Sequence, residues 1–325
     1  SIGIAAADGY LLQGHCWQHE RPDAQRAVVV INPATSVRCA YYARFAAYLH
    51  QHGFDVLTYD YRGIGQSRPE RLRGFDAGWI DWGRLDFEAV LQHVERAFPG
   101  QPVQVVGHSV GGFLVGLAPS SHRIARVFTM GAQYAYWKDY ARQQRWRLLL
   151  KWHLVMPALT AVLGYFPGKR LGWLEDTPKG VVRDWTARAP RFEDIWRTGP
   201  AALDAPARQT LVAQFAAVRA DILAVGLSDD EFGTEAAIRR LLGAFAGPLA
   251  DGEDRQARGE GEGLLGAREQ DVDAELVLLD RERRERADGV DDGDDLGEFP
   301  DHGHEFRDRR QRARGGLGVD EGDAV

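Results

Sequence analysis

A serine flanked by glycines is the first group in this chain whose spacing suggests chemistry: Gly107-His108-Ser109-Val110-Gly111. The run before it, Pro102-Val103-Gln104-Val105-Val106, is apolar and β-branched, and the stretch after it is small and helix-compatible, so the order reads strand, sharp turn, helix. A serine at the apex of such a turn sits in strained backbone. Its hydroxyl is lifted clear of the sheet, and the N–H of Val110 points toward the same space. Only glycine suits positions 107 and 111, where a Cβ would collide with neighbouring elements. The predicted chemistry is attack of Ser109 on an acyl carbonyl to give an acyl-enzyme. Stripped of its setting, the same motif is an ordinary strand-to-helix turn.

The setting is an alternation of strands and helices. Residues 1–20 read as two short strands around Asp8-Gly9. Ala27-Val28-Val29-Val30-Ile31 is a continuous apolar run, as for a strand covered on both faces, and it breaks at Asn32-Pro33-Ala34-Thr35. Tyr41, Tyr42, Phe45, Ala46 and Leu49 recur at helical spacing until Gly53. Further strands are expected over 54–59, 124–130 and 222–226, and helices over 82–98 and 234–245. Such alternation predicts a parallel sheet with helices on both faces.

Residues 134–205 break the pattern. They are rich in aromatic and basic groups and in prolines, and they read as an insertion of helices capping the sheet. The most apolar window, 148–166, is interrupted by Lys151, His153 and Pro157 and makes a poor membrane span. Within it, Trp152 and Phe166 are expected to set substrate choice rather than stability.

Composition narrows the function. Residues 1–245 carry 28 Lys and Arg against 23 Asp and Glu, which gives no electrostatic case for nucleic acid. Cys16 and Cys39 form no disulfide framework and no signal peptide is read, so a cytoplasmic setting is expected. Residues 246–325 differ in kind: 12 arginines stand against 24 acids, and Ser, Thr, Asn, Lys, Ile, Tyr, Trp, Met and Cys are absent. A stretch of that composition is expected to be disordered, with only Ala274-Glu275-Leu276-Val277-Leu278-Leu279 able to pack.

Taken in order, Ile31-Asn32-Pro33-Ala34-Thr35, Tyr59-Asp60-Tyr61-Arg62-Gly63-Ile64-Gly65, Gly107-His108-Ser109-Val110-Gly111-Gly112, Gly164-Tyr165-Phe166-Pro167-Gly168, Pro178-Lys179-Gly180-Val181 and Ser228-Asp229-Asp230-Glu231-Phe232 resemble the α/β-hydrolase fold. Within it, they are similar to a bacterial branch near the serine-aminopeptidase-like hydrolases. The resemblance covers about residues 1–245. It implies a mostly parallel central sheet flanked by helices, with a helical cap at about 134–205. It also implies hydrolysis by a serine nucleophile with no cofactor and no metal, acting on a small acyl substrate that the aromatic cap suggests is apolar.

On that footing Ser109 is the expected nucleophile, and the N–H groups of Val110 and Ala34 are the expected oxyanion donors. Asn32-Pro33 reads equally as a plain turn. Asp229, three residues past Gly226, stands where a carboxylate would orient a histidine, with adjacent Asp230 as its substitute. Asp60 and Arg62 read as a structural turn and ion pair, His108 as a core or turn residue, and His153 as a lid residue. The family's histidine, carried by a further strand and turn beyond the acid, has no counterpart between His153 and His302, so His302 and His304 are the late candidates for the base. A non-catalytic binding protein and an acyltransferase using Ser109 are the alternatives.

The expected strand and histidine are missing where the composition changes, which suggests a reading-frame shift near residues 243–250. Resequencing the gene and translating its other frames past residue 243 should then reveal an apolar strand followed by Gly-His. Finding neither in any frame removes the idea.

Overall fold

Val28–Asn32, strand β3, is buried along its whole length, and its side chains part to opposite sides. Val28 and Val30 enter one apolar cluster, whereas Val29 and Ile31 enter another with Tyr42, Ala46 and Val56. A strand that buries both alternate sets lies inside a sheet covered on both faces. The computed structural model describes residues 1–246, and residues 274–279 by their backbone. All of these lie in one compact unit, Ser1–Arg284; a second, Glu285–Val325, falls outside the described residues.

The sheet grows around β3. Strands β1 (Ile2–Ala5) and β2 (Leu11–Trp17) form an antiparallel hairpin turned at Gly9, and β2 pairs antiparallel with β4 (Asp55–Tyr59). From β4 onward every pairing is parallel, through β3, β5 (Val103–His108), β6 (Ile124–Met130), β9 (Asp221–Leu227) and β10 (Ala274–Leu279), giving the order β1-β2-β4-β3-β5-β6-β9-β10. The chain passes from β3 to β4 on one side and returns to β5 on the other. The carboxyl ends of β3 and β5 therefore flank a topological switch point, where sheets of this type bind their ligands.

Between β6 and β9 (Asp221–Leu227) stands the aromatic segment 134–205, with its own two-stranded ladder, β7 (Tyr165–Phe166) against β8 (Thr177–Pro178). Its main helical run comprises Arg145–Leu150, a π-helical turn Lys151–Val155, and Met156–Leu163. The irregular turn has a cause. Pro157 has no N–H to give the carbonyl of His153, four residues back, and that carbonyl instead accepts from Arg188 Nη2 at 3.2 Å. Trp152 and Phe166, expected to face substrate, are buried with Tyr140, Leu148, Met156 and Val182. Their positions make them core residues of this segment, which corrects the expectation that they weigh on substrate choice more than on stability.

A second correction concerns the sheet edge. The strand expected to be lost after residue 245 is present: Ala274–Leu279, β10, pairs parallel with β9 from Ala274 opposite Ile222 to Leu279 opposite Leu227. It is the window that the sequence singled out as able to pack within the acidic region.

Arg62 ties the first hairpin to the core. Its Nε donates to buried Asp86 at 2.6 Å and its Nη1 to Asp8 at 2.6 Å, while Trp82 Nε1 donates to its carbonyl. Asp60, its expected partner, instead accepts the N–H groups of Cys39 and Gln66. Replacing Arg62 by Met should cost about 3–5 kcal/mol in urea unfolding, because Asp86 is left as an unpaired buried charge. The double variant Arg62→Met/Asp86→Leu should recover part of that loss. Equal losses in both would show that packing, not the stranded charge, sets the cost.

Candidate active site

Ser109 directly follows β5 and is the N-cap of the short helix Val110–Phe113, with φ 52° and ψ −120°. Two hydrogen bonds hold this left-handed backbone in place: Ser109 N–H donates to the Met130 carbonyl at 2.9 Å, and Gly112 N–H donates to the Ser109 carbonyl at 3.1 Å. The neighbouring glycines answer to contact. A Cβ on Gly107 would lie 2.5 Å from Gly112 Cα, and one on Gly111 would lie 2.2 Å from the Asn32 carbonyl oxygen. Among the described residues four non-glycines have positive φ, and three of them, Ser36, Ser109 and Ala135, follow the carboxyl ends of β3, β5 and β6. Backbone strain is thus concentrated on one edge of the sheet.

Asn32, at the end of β3, does more than turn the chain. Its buried amide donates from Nδ2 to the Gly111 carbonyl at 3.1 Å and accepts the Tyr59 hydroxyl at 2.9 Å, fastening the loop that follows to the serine turn. The N–H of Val110 opens its helix and meets no acceptor among the described residues. The N–H of Ala34 is engaged: it donates to the Tyr42 hydroxyl at 2.9 Å, and that hydroxyl lies 2.8 Å from His108 Nδ1. The hydroxyl accepts from Ala34, and the tautomer of His108 sets which of the two groups donates across the second contact. Burial holds His108 below the ordinary histidine range, against the opposing pull of Asp230. Helical spacing placed Tyr42 on an apolar face, but periodicity says nothing of where a hydroxyl on that face will reach.

The two candidate carboxylates separate clearly. Asp230 Oδ1 accepts the N–H groups of Phe232 and Gly233 at 2.8 and 2.9 Å, which closes the turn after β9. Its other oxygen sits over Gly131, where a Cβ would come within 2.8 Å of it. Asp229 occupies the exposed turn itself. One strand, β6, stands between β5 and β9, so Ser109 and the Asp229 turn are two strand spacings apart, about 10 Å. That gap is of a size to hold an imidazole between a carboxylate and a hydroxyl.

Of the histidines considered, His153 is buried, with Nε2 3.1 Å from the Tyr140 hydroxyl. Burial, reinforced by the Arg188 charge, pushes it down to about 4, too weak for a general base at neutral pH. His302 and His304 lie outside the described residues, as does the expectation of disorder for most of 246–325.

The aromatic segment and the Asp229 turn are fastened together. Ala141 N–H donates to the Glu231 carbonyl at 3.0 Å, Thr234 Oγ1 donates to the Asp139 carbonyl at 2.6 Å, and Arg240 pairs with Asp139. The Phe232 ring packs 5.2 Å from Tyr140 and 6.0 Å from Trp152. Nothing in residue spacing announced these ties, since they join positions about a hundred residues apart.

Residues 23–227 match the family described as serine aminopeptidase, S33, and the chain belongs to that family. No curated protein matches the sequence. Among solved structures, a thermostable carboxyl esterase from Bacillus coagulans superposes with a TM-score of 0.53 at 12% identity, covering 88% of this chain and 94% of that one. DcsB, solved with a substrate analogue, gives a TM-score of 0.50 at 13% identity over 86% and 88% of the two chains. An enol-lactonase from Burkholderia xenovorans LB400 gives 0.49 at 19% identity over 88% and 95%. The fold is the α/β-hydrolase fold, and family and fold together indicate a hydrolase of that type.

Gly111→Ala should lower stability by about 1–3 kcal/mol in chemical denaturation, because its Cβ meets backbone that Asn32 holds rigid. Gly243→Ala, in a helix with open space around it, should instead add roughly 0.5–1 kcal/mol. Equal effects at the two sites would contradict the close approach at the serine turn.

Proposed function

We propose that this member of the serine aminopeptidase S33 family is a serine hydrolase that cleaves an acyl ester, thioester or amide through a Ser109 acyl-enzyme. The observation that carries the reading is the left-handed Ser109 at a strand-to-helix turn, beside an N–H of Val110 with no acceptor among the described residues. Ser109 Oγ attacks the acyl carbon, the bond to the leaving group breaks, and the leaving group departs with a proton. Water then releases the acid and restores the serine.

Val110 N–H is the first oxyanion donor. Ala34 N–H serves as the second by turning from the Tyr42 hydroxyl to the developing oxyanion. Asp229, on the exposed turn after β9, is the orienting acid. The attack also calls for a base to take the Ser109 proton. Residues 134–205 form the cap, and its aromatic composition, beyond the Trp152 and Phe166 rings held in its own core, is the reason to read the acyl group as apolar.

A non-catalytic binding protein is the second reading, and one observation favours it: among the described residues no histidine follows Asp229. A fluorophosphonate probe separates the two. Labelling of Ser109 in the full chain, abolished by Ser109→Ala without change in the melting curve, supports the hydrolase. Turnover of an acyl-ester panel should fall at least about a thousandfold in that variant. Labelling that persists in Ser109→Ala, or unchanged turnover, rules out the acyl-enzyme.

A further inference from the structure

The helical run 145–163 is apolar on two opposite faces. Leu148, Trp152, Met156 and Thr160 recur every four residues on the buried side. Two residues out of step, Trp146, Leu150, Leu154 and Val162 recur on the outer side, exposed by 74, 56, 59 and 73%. A four-residue repeat drifts around a 3.6-residue helix, but the wider π-helical turn at Lys151–Val155 unwinds part of that drift and keeps the outer stripe in line. Among the described residues, six of the eleven exposed large apolar side chains belong to this stretch and its sequel, with Leu163 and Leu171 completing the set. A concentration of that kind marks a surface meant to be covered.

Charge says by what. From Tyr140 to Leu174 the chain contains no Asp or Glu and six Lys or Arg. Arg147 reaches Glu231, and Arg145 donates to the carbonyls of Lys138 and Tyr140. Lys151 lies over the Trp152 and Trp173 rings, while Arg142, Lys169 and Arg170 are exposed. Exposed Trp and Leu in a stretch that carries Lys and Arg and no acid suit the boundary of a lipid layer carrying anionic headgroups. A second copy would set one cationic face against another, which is repulsive. The acidic residues 246–325 match the charge, but their one long apolar run is already β10. Among the described residues no helix is long and apolar enough to cross a membrane, so any such contact is peripheral.

We propose that the outer face of residues 145–163 docks on the surface of an anionic phospholipid bilayer. This does not depend on the catalytic reading, since none of its residues is in the proposed chemistry. The test is co-sedimentation of the full-length chain with phosphatidylglycerol vesicles and with phosphatidylcholine vesicles. Binding should favour phosphatidylglycerol roughly tenfold or more and weaken with rising ionic strength. Leu150→Glu/Leu154→Glu should cut it by about tenfold with the melting curve unchanged. Arg142→Glu/Arg170→Glu, which leaves the apolar packing alone, should weaken it severalfold. No sedimentation, equal binding to both vesicles, or binding indifferent to both double variants overturns the proposal. So does a dimer, by light scattering, that Leu150→Glu/Leu154→Glu dissociates, which would give the stripe to a second copy.

Discussion

The close approach of two backbone segments governs this molecule: the end of β3 lies against the turn after β5 at a distance that admits no side chain. Gly111 faces the Asn32 carbonyl, Gly107 faces Gly112, and the Asn32 amide fastens the two loops through Gly111. The left-handed Ser109 is affordable only because these contacts and the Met130 hydrogen bond fix everything around it. One constraint thus sets the backbone at Ser109, the opening N–H of Val110, which meets no acceptor among the described residues, and the position of the loop bearing Ala34. The pairing of buried Arg62 with buried Asp86 and exposed Asp8 is a separate anchor, holding the antiparallel edge to the same sheet.

The aromatic segment obeys a different logic. Its helix is broken at the one residue that cannot donate a hydrogen bond, and a distant guanidinium satisfies the orphaned carbonyl. What would be a defect in an isolated helix is here a joint between Arg188 and the run 145–163. The same joint brings Trp152 inward while Leu150 and Leu154 face out.

Much of this was legible in the residues, and the rest was not for identifiable reasons. Strands such as Ala27–Ile31 and the Ser109 turn are local patterns, set by burial of both faces and by the steric demand of a tight corner. Their positions in the chain held to within a residue or two. The engagement of Ala34 N–H by Tyr42 was invisible because it depends on where one hydroxyl ends up across a loop. The hold of Asp230 on the turn after β9 was equally hidden, since which of two adjacent aspartates meets the N–H groups of Phe232 and Gly233 depends on how the chain bends there. The window of β10 stood out as the one stretch able to pack, but five apolar residues and a glutamate in an acidic, glycine-rich region did not announce a sheet partner. Trp152 and Phe166 were misjudged because a large aromatic ring fills a core and lines a pocket with the same sequence signature.

The fastening of the 134–205 segment to the turn after β9 bears on how such a chain can diversify. Recombination that exchanges the segment alone would leave Glu231, Phe232, Thr234 and Arg240 facing partners they were not shaped for. The natural unit of inheritance is therefore discontinuous. It joins the aromatic insertion to residues 229–240 across the intervening strand, and a graft that respects only one of the two pieces will displace the carboxylate it was meant to leave untouched.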